Sequence, residues 1–292
     1  MSRFTIYTYQ FKPINAPVEM DLFRPDVDVE ESMRNKQDIF GCFFLHDSKL
    51  RFKYNNQEFD YHVVAQHGGI IVLKIANNSK LIHESNFNRW EEEDHPSLYV
   101  IIDNRKDKQI VAIENRQLAF SDTTTVARIM AESFDRLLLE HGLEVSVDAK
   151  YHRHEFWEIV TECGNGVASV KFKFPYPNLP AISDLVGEYY TEVARRTNGE
   201  PTTILTARAK ERLILERGDL LVENMISAAS ASGKLIMMRP KGQRKWKQIG
   251  LRTIVHEELS DQVLNHLEEN ELIPHKWYAI VSFLDRIKNV YD

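Results

Sequence analysis

The pattern of hydrophobic and polar positions is most regular between Ser97 and Ala149, where each local signal agrees with the next. Two apolar, β-branched runs, Ser97–Asp103 and Gln109–Asn115, flank a short polar segment, which is typical of a β-hairpin. Apolar residues then recur at helical spacing, which predicts a helix over Thr123–His141 that ends at the glycine following it. Strict alternation from Leu143 onwards predicts a strand that buries one of its faces.

The residues before this stretch predict an antiparallel meander. Asn55 and Asn56 tolerate positive φ and separate two β-rich runs, so they suit a tight hairpin turn. The sequence allows a helix beginning near Asp28, and Ser79–Pro96 has the composition of a polar, acidic connection. The strands predicted in this portion are Arg3–Lys12, Leu50–Tyr54, Gln57–Ala65 and Ile70–Ala76.

Beyond Lys150 the pattern changes to helices interspersed with strands. Val167–Phe174 alternates cleanly, and a proline-rich segment follows it. We therefore expect an α+β fold, with an N-terminal antiparallel meander sheet and a packed helix over residues 1–150 and a second α/β portion over residues 151–292. The other elements predicted in this second portion are helices at Ile182–Val193, Asp219–Ser232, Ser260–Asn270 and from Pro274, a helix or strand at His154–Cys163, and strands at Thr202–Ala207, Leu235–Met238 and Ile249–Val255.

Composition is typical of a soluble globular protein. Of the 292 residues, 43% are hydrophobic and 27% charged, and the formal net charge is −6. No apolar run approaches the roughly 18–20 residues of a membrane helix, and the first residues lack the apolar region of a secretory signal. We therefore expect a cytoplasmic protein without membrane insertion, in which Cys42 and Cys163 are free thiols.

Candidate catalytic and metal-binding residues are few. The sequence pattern closest to a metal-binding site is that of His152, His154 and Glu155. A third ligand at a suitable spacing from the two histidines is missing, so an exposed polar turn is the simpler interpretation. A divalent-metal nuclease is the enzymatic alternative, with Glu155, Glu158 and Lys171 as one possible set, although no phosphate loop or nucleophile motif accompanies them. We predict no catalytic residue, no metal site and no cofactor, and leave enzymatic activity open.

The basic segment Lys234–Arg252 is the strongest local signal. It holds seven positive residues and no acid, in a chain whose net charge is −6. Pro240 and Gly242 predict a loop between two strands, and Trp246 offers an aromatic face on which a base can stack. Clustered lysine and arginine bind phosphates without reading bases. The predicted nucleic-acid-binding residues are Arg239, Lys241, Arg244, Lys245, Trp246, Lys247 and Arg252.

The residues alone leave three functions open. The first is a nucleic-acid-binding protein that contacts phosphates through the basic segment, with a second basic region between Arg195 and Arg217 close by in sequence. The second is a nuclease that uses acidic residues and a divalent ion. The third is an interaction protein whose basic loop docks an acidic partner. A basic hairpin that merely pairs with acidic segments of its own chain is the simplest alternative to all three.

Several passages in a fixed order resemble one known family. They are the opening strand FTIYTYQF, the hairpin LRFKYNNQEFDYHVV, the PSLYVIID hairpin running into FSDTTTVARIM, the passage VKFKFPYPNLPAISDLVG and the basic C-terminal region. In plan this is similar to the RexA-like phage-exclusion proteins. The resemblance implies a bacterial antiphage-defence protein that binds DNA largely without sequence preference, works as a homodimer and signals to a protein partner. It carries over no catalytic residue, and the acidic stretch Glu19–Glu31 departs from it.

The final predicted helix suggests self-association on separate grounds. Its aromatic residues exceed what one core-facing stripe needs, and aromatic side chains are enriched at protein interfaces. We therefore predict a homodimer, the alternative being that this helix simply covers the sheet. The aromatic residues in question are Trp277, Tyr278, Phe283 and Tyr291.

Overall fold

The computed structural model confirms an α+β fold, which is organised around two antiparallel sheets. It describes residues 1–14, 27–45, 49–106, 108–164, 166–174, 176, 184, 187–197, 199–250, 252–267 and 274–288. Most of the proline-rich segment, the first half of the predicted helix Ile182–Val193, the end of Ser260–Asn270 and Tyr291 lie outside these ranges. Within them, no helix is long and apolar enough to span a membrane, and Cys42 and Cys163 are free thiols, as predicted.

The described residues form fifteen strands and eight α-helices. The strands are β1 (Ser2–Pro13), β2 (Phe52–Tyr54), β3 (Gln57–Phe59), β4 (Tyr61–His67), β5 (Ile70–Ala76), β6 (Ser79–Ser85), β7 (Asn88–Asp94), β8 (Ser97–Asp103), β9 (Ile110–Glu114), β10 (Leu143–Ala149), β11 (Val167–Lys173), β12 (Thr202–Thr206), β13 (Ile236–Pro240), β14 (Lys247–Ile249) and β15 (His256–Leu259). The helices are α1 (Val29–Arg34), α2 (Lys36–Cys42), α3 (Thr123–Leu138), α4 (His154–Glu162), α5 (Glu188–Thr197), α6 (Leu220–Ala231), α7 (Asp261–Leu267) and α8 (Pro274–Lys288).

The first sheet has seven strands and is centred on β1. Its order is β10–β1–β9–β8–β5–β4, and β15 also pairs with β1. Residues 7–13 of β1 pair with β10 and residues 2–5 pair with β15, so these two strands share one edge of β1. The other edge pairs with β9 through residues 4–8. The predicted meander is therefore present, but both ends of the chain contribute to it.

The first face of this sheet packs against α1, α2 and α3. Successive side chains of a strand point to opposite faces, and the odd-numbered residues Tyr7, Tyr9 and Phe11 of β1 enter this core. The predicted helix is confirmed: the Asp122 carboxylate accepts a hydrogen bond from the Thr125 amide at 2.8 Å. A short 3-10 turn prolongs α3 to Gly142, whose φ of +67° ends it.

The second face packs against α7 and α8. Phe4 and Ile6 point this way, and the Phe4 ring meets Phe283 of α8 at a centroid distance of 5.4 Å. Trp277 and Phe283 are therefore core residues, so the aromatic argument for a homodimer is wrong for both, while Tyr278 is 72% exposed and Tyr291 lies outside the described residues. Residues 256–288 thus complete the first sheet, although they lie beyond the boundary predicted at residue 150.

Two strands project from this sheet as a separate ribbon, where the sequence predicted a connection. The polar stretch before Pro96 forms β6 and β7, which pair only with each other among the described strands. We call this ribbon, Ser79–Asp94, the acidic arm. Asn86 and Phe87 form its tip, both with positive φ, as in a tight hairpin turn. The predicted hairpin at Asn55 and Asn56 is confirmed as the smaller pair β2–β3.

The second sheet has four strands in the order β12–β11–β13–β14. Its inner face packs against α4 and α6 in a core of its own. The strand predicted at Ile249–Val255 is wrong in extent, because β14 ends at Ile249 and the chain then crosses to the first sheet to form β15. The segment between β14 and β15 therefore connects the second sheet to the first.

The two sheets meet at a network of charged side chains. The Glu200 carboxylate, just before β12, lies 2.6 Å from the Lys12 ammonium of β1, and Lys173 at the end of β11 also binds it. Lys234 bonds Asp148 of β10 at 2.9 Å and lies 3.6 Å from Glu200. The backbones approach closely here, since a Cβ at residue 233 would stand 2.9 Å from the Ala149 carbonyl oxygen. Only glycine fits this contact.

Candidate nucleic-acid interface

The predicted basic segment folds as an edge hairpin of the second sheet. Strands β13 and β14 pair antiparallel, and the exposed turn 241–246 joins them. Gly242 has a φ of +80°, which favours glycine, and Pro240 closes β13. The turn therefore holds Lys241, Arg244 and Lys245 in solvent at one end of the sheet.

The register of the second sheet divides the basic residues between its two faces. Residues directly opposite one another in paired strands point to the same face. Val170 and Phe172 of β11 point inward to the helices, so Ser169 and Lys171 point outward. Ser169 lies opposite Thr206 on one side and Arg239 on the other, and Lys171 lies opposite Ile204 and Met237. Arg239 therefore belongs to the outer face.

This outer face is open to solvent. Ile204 of β12 is 57% exposed although it is aliphatic, and the polar positions beside it in the same strand are exposed too. Ser169 is the buried exception, because Arg239 lies across it. We call this surface the open face. Its outward positions are Thr202, Ile204, Thr206, Ser169, Lys171, Lys173, Met237, Arg239, Trp246 and Gln248.

Arg239 and Trp246 lie against each other on the open face. The guanidinium carbon of Arg239 lies 5.5 Å from the centroid of the Trp246 ring, a cation–π distance. The same guanidinium donates a hydrogen bond to Ser169 Oγ at 2.8 Å. Trp246 remains 38% exposed. The pair therefore presents an aromatic surface beside a fixed positive charge, which suits stacking on a base next to a phosphate.

The second basic region lies against the turn. The Lys241 ammonium donates to the carbonyl oxygen of Lys210 at 2.8 Å, and its backbone amide donates to the carbonyl oxygen of Gly166 at 2.9 Å. Arg212 packs over the same Gly166, where an added Cβ would stand 2.7 Å from its Cδ atom. One end of the second sheet thus carries the turn 241–246 together with Lys210 and Arg212 of the second basic region. Its exposed cations are Arg208, Lys210, Arg212, Lys241, Arg244 and Lys245.

Lys247 and Arg252 lie elsewhere. Lys247 sits opposite Met238, an inner-face position. Its ammonium lies 3.6 Å from the Glu162 carboxylate at the end of α4, and Arg252 donates to the same carboxylate at 3.2 Å. These two of the seven predicted residues therefore pair with an acid of their own chain on the helix side of the sheet. Arg244 and Lys245, by contrast, have no ion-pair partner among the described residues.

Lys171 and Lys173 are candidate contact residues that sequence reasoning did not include. Both alternate with inward phenylalanines in β11, so the pattern itself assigns them to the outer face. What the pattern does not contain is the pairing of β11 with β13, which places them beside Arg239. Lys171 lies centrally on the open face, whereas Lys173 reaches the junction and binds Glu200.

The residues considered for catalysis do not converge. Glu155 is buried and accepts a hydrogen bond from Thr253 at 2.8 Å, while Glu158 lies on the solvent side of α4 near His154. Lys171 is on the opposite side of the sheet from α4. The His152 and His154 rings are neighbours at 5.3 Å. Across the described parts of the chain, no three histidine, cysteine or acidic side chains come close enough to hold a metal ion.

Comparisons with known proteins add no relative. No family model matches the chain, and neither the curated proteins nor the solved structures contain a significant match.

Proposed function

We propose that this protein binds nucleic acid through the open face and the basic end of the second sheet. One observation carries the proposal: an uncovered sheet face holds the Arg239–Trp246 pair and Lys171, and its rim holds Arg244 and Lys245, which form no ion pair with any residue that the structure describes. Helices cover the inner face of this sheet, and a charged aromatic surface on the outer face supplies the two contacts that nucleic acid offers, phosphate and base.

The expected binding is largely independent of sequence. Arg244 and Lys245 project from an exposed turn beyond the strands, which suits contact with phosphates more than with base edges. DNA is the expected ligand, in line with the resemblance to RexA-like phage-exclusion proteins. The same resemblance extends the proposal to a non-enzymatic sensor in bacterial antiphage defence that works with a protein partner and as a homodimer.

Salt dependence tests the proposal directly. Each cation that contacts duplex phosphates adds roughly 0.9 to the magnitude of the negative log–log slope of affinity against salt. The double variant Arg244→Ala, Lys245→Ala should therefore bind a duplex of arbitrary sequence with a slope reduced by about 1.8, which is twice 0.9. Fluorescence anisotropy at several salt concentrations measures this slope.

Lys247→Ala, Arg252→Ala is the matched control. It removes the same charge from the same basic segment, Lys234–Arg252, but from the side that faces Glu162. Its slope should equal that of the wild type. Equal reductions in both variants would show that only net charge matters, and a wild-type slope in the Arg244, Lys245 variant would remove the proposed surface.

A further inference from the structure

The open face carries its side chains in rows that run across the four strands of the second sheet. Residues opposite one another in paired strands point to the same face, so the register determines which side chains share a row. The first row, nearest the turn 241–246, is Thr206, Ser169, Arg239 and Trp246, and the second row is Ile204, Lys171, Met237 and Gln248.

The second row places apolar side chains beside an unpaired charge. Ile204, at one end of the row, is 57% exposed, and Met237, two strands away, is partly buried. Lys171 stands between them and forms no ion pair with any residue that the structure describes. An apolar side chain next to a cation supplies the two contacts that one nucleotide requires, a surface for its base and a charge for its phosphate.

The open face is too wide to enter a groove of duplex DNA. Trp246 and Ile204 belong to opposite edges of the sheet, which are three strand spacings or roughly 14 Å apart. The major groove of B-DNA is about 12 Å wide and admits a helix or a two-stranded ribbon. The bases of a duplex also stack on one another and present only their edges in the grooves. A duplex therefore cannot place the face of a base on Trp246 and on Ile204.

An unpaired strand has no such restriction. Its bases can turn outward, and every base has a flat surface that packs on aromatic or aliphatic side chains whatever its identity. On other four-stranded sheets that bind single-stranded nucleic acid, one face stacks about two or three bases. The second sheet has the same number of strands and one face that the described helices leave open.

We infer that the open face holds an unpaired stretch of DNA, about two or three nucleotides long, that crosses the strands from Trp246 to Ile204. One base stacks on Trp246, another lies on Ile204, and a phosphate between them binds Lys171. Arg244 and Lys245 at the turn bind phosphates of the flanking DNA, whether it is paired or not. The inference rests on the proposed function and names unpaired DNA as the ligand of the face.

Salt slopes distinguish Lys171 on the face from the cations of the turn. For a short oligothymidine, Lys171→Ala should reduce the magnitude of the slope by about 0.7, the value for one single-strand phosphate contact. For a duplex of arbitrary sequence, the slope of this variant should equal that of the wild type. Lys80→Ala on the acidic arm is the matched control, because it removes the same charge outside the second sheet, and both of its slopes should be unchanged.

Truncation of Ile204 tests the second base. Ile204→Ala should weaken oligothymidine binding about fivefold, because the base then covers less apolar surface. Its affinity for the duplex should be that of the wild type. Ile82→Ala on the acidic arm removes an isoleucine of similar exposure and should bind both ligands as the wild type does. Fluorescence anisotropy measures all four affinities, and every variant should keep the wild-type circular dichroism.

Wild-type binding of oligothymidine by both Lys171→Ala and Ile204→Ala would overturn the inference. Losses of equal size for oligothymidine and duplex would also overturn it, since the face would then not select unpaired DNA. If Arg244→Ala, Lys245→Ala still reduces the duplex slope in either case, the proposed function stands without the inference. A wild-type protein that binds neither ligand at low salt would remove both.

Discussion

The two sheets of this protein differ in how many of their faces are covered. The first sheet is packed on both faces, so that six of the seven residues of β8 are buried. The second is packed on one, and its edge strand β12 alternates between exposed and half-buried positions. A strand covered on both faces reads as a continuous apolar run, while a strand with one free face alternates. The first sheet is therefore enclosed on both faces, whereas the second has a core on one face and leaves the other face exposed.

The difference between the two sheets should be largest in the unfolding free energy lost when a side chain is truncated. Phe283→Ala removes a ring that is fully buried against Phe4, and should cost about 3–5 kcal/mol of unfolding free energy. Ile204→Ala on the open face should change it by less than about 0.5 kcal/mol. Urea unfolding followed by circular dichroism measures both. A large loss from Ile204→Ala would mean that the open face is covered after all.

The charged network at the junction between the sheets should affect the stability of the protein at acid pH. Burial alone would raise the pKa of Glu200, but hydrogen bonds from Lys12 and Lys173 together with Lys234 lower it from 4.5 to about 2. A carboxylate with a lowered folded-state pKa stabilises the protein above its unfolded pKa, and this contribution is lost as pH falls from 4.5 towards 2. Glu200→Gln should therefore cost about 2–3 kcal/mol at neutral pH and flatten the stability profile in that acid window.

Glu211→Gln makes the same chemical change at an exposed position beside β12. Its unfolding profile should follow the wild type at every pH. If Glu200→Gln behaved in the same way, the three-lysine contact would contribute nothing to how the sheets are held together.

The proposed stacking of a base on Trp246 can be tested by substitution. Trp246→Ala should weaken binding of a single-stranded oligonucleotide by about 1–3 kcal/mol and duplex binding much less, because duplex bases are already stacked on each other. Trp90→Ala on the acidic arm is the matched control, since it removes an exposed tryptophan that is not part of the second sheet. Equal losses in the two variants would contradict stacking at Trp246.

The smallest expected effect concerns the arm itself. Phe87→Ser removes a fully exposed ring at the tip of a ribbon outside all three apolar clusters, so stability should change by less than about 0.5 kcal/mol. Thermal unfolding checks this. A markedly lower midpoint would mean that Phe87 packs within its own chain.

Much of the first sheet could be predicted from sequence, because several of its signals are local. The strand Ser97–Asp103 has the predicted bounds, and the helix from Thr123 begins and ends at its predicted caps. The acidic arm was missed because four consecutive acids, Glu91–Asp94, suppress the apolar alternation by which strands are recognised. Strand β15 was missed because its four residues, HEEL, are held by pairing with β1 from the other end of the chain.

The candidate site was only partly predictable for the same reason. Charge clustering identifies the basic segment, but the face of the sheet on which each side chain lies depends on the strand register. Lys247 points to the helices, while Trp246 points outward. Local alternation of Trp246, Lys247, Gln248 and Ile249 already contains that division once Ile249 is known to be buried. The nearness of Lys241 to Lys210 depends on contacts between segments about thirty residues apart, which no local pattern encodes.

The pairing of β1 with β15 also affects the order in which the protein can be completed during synthesis. Residues 2–5 cannot pair with residues 256–259 until those residues have been synthesised. The second face of the first sheet likewise stays uncovered until α7 and α8 have left the ribosome. At about 5–20 residues per second, the ribosome needs on the order of ten seconds or more to bridge that interval. During this time Phe4, Ile6 and Ile101 have no helix to cover them. Strand β1 therefore completes its pairing, and the second face of the first sheet its cover, only after residues 256–288 have been made.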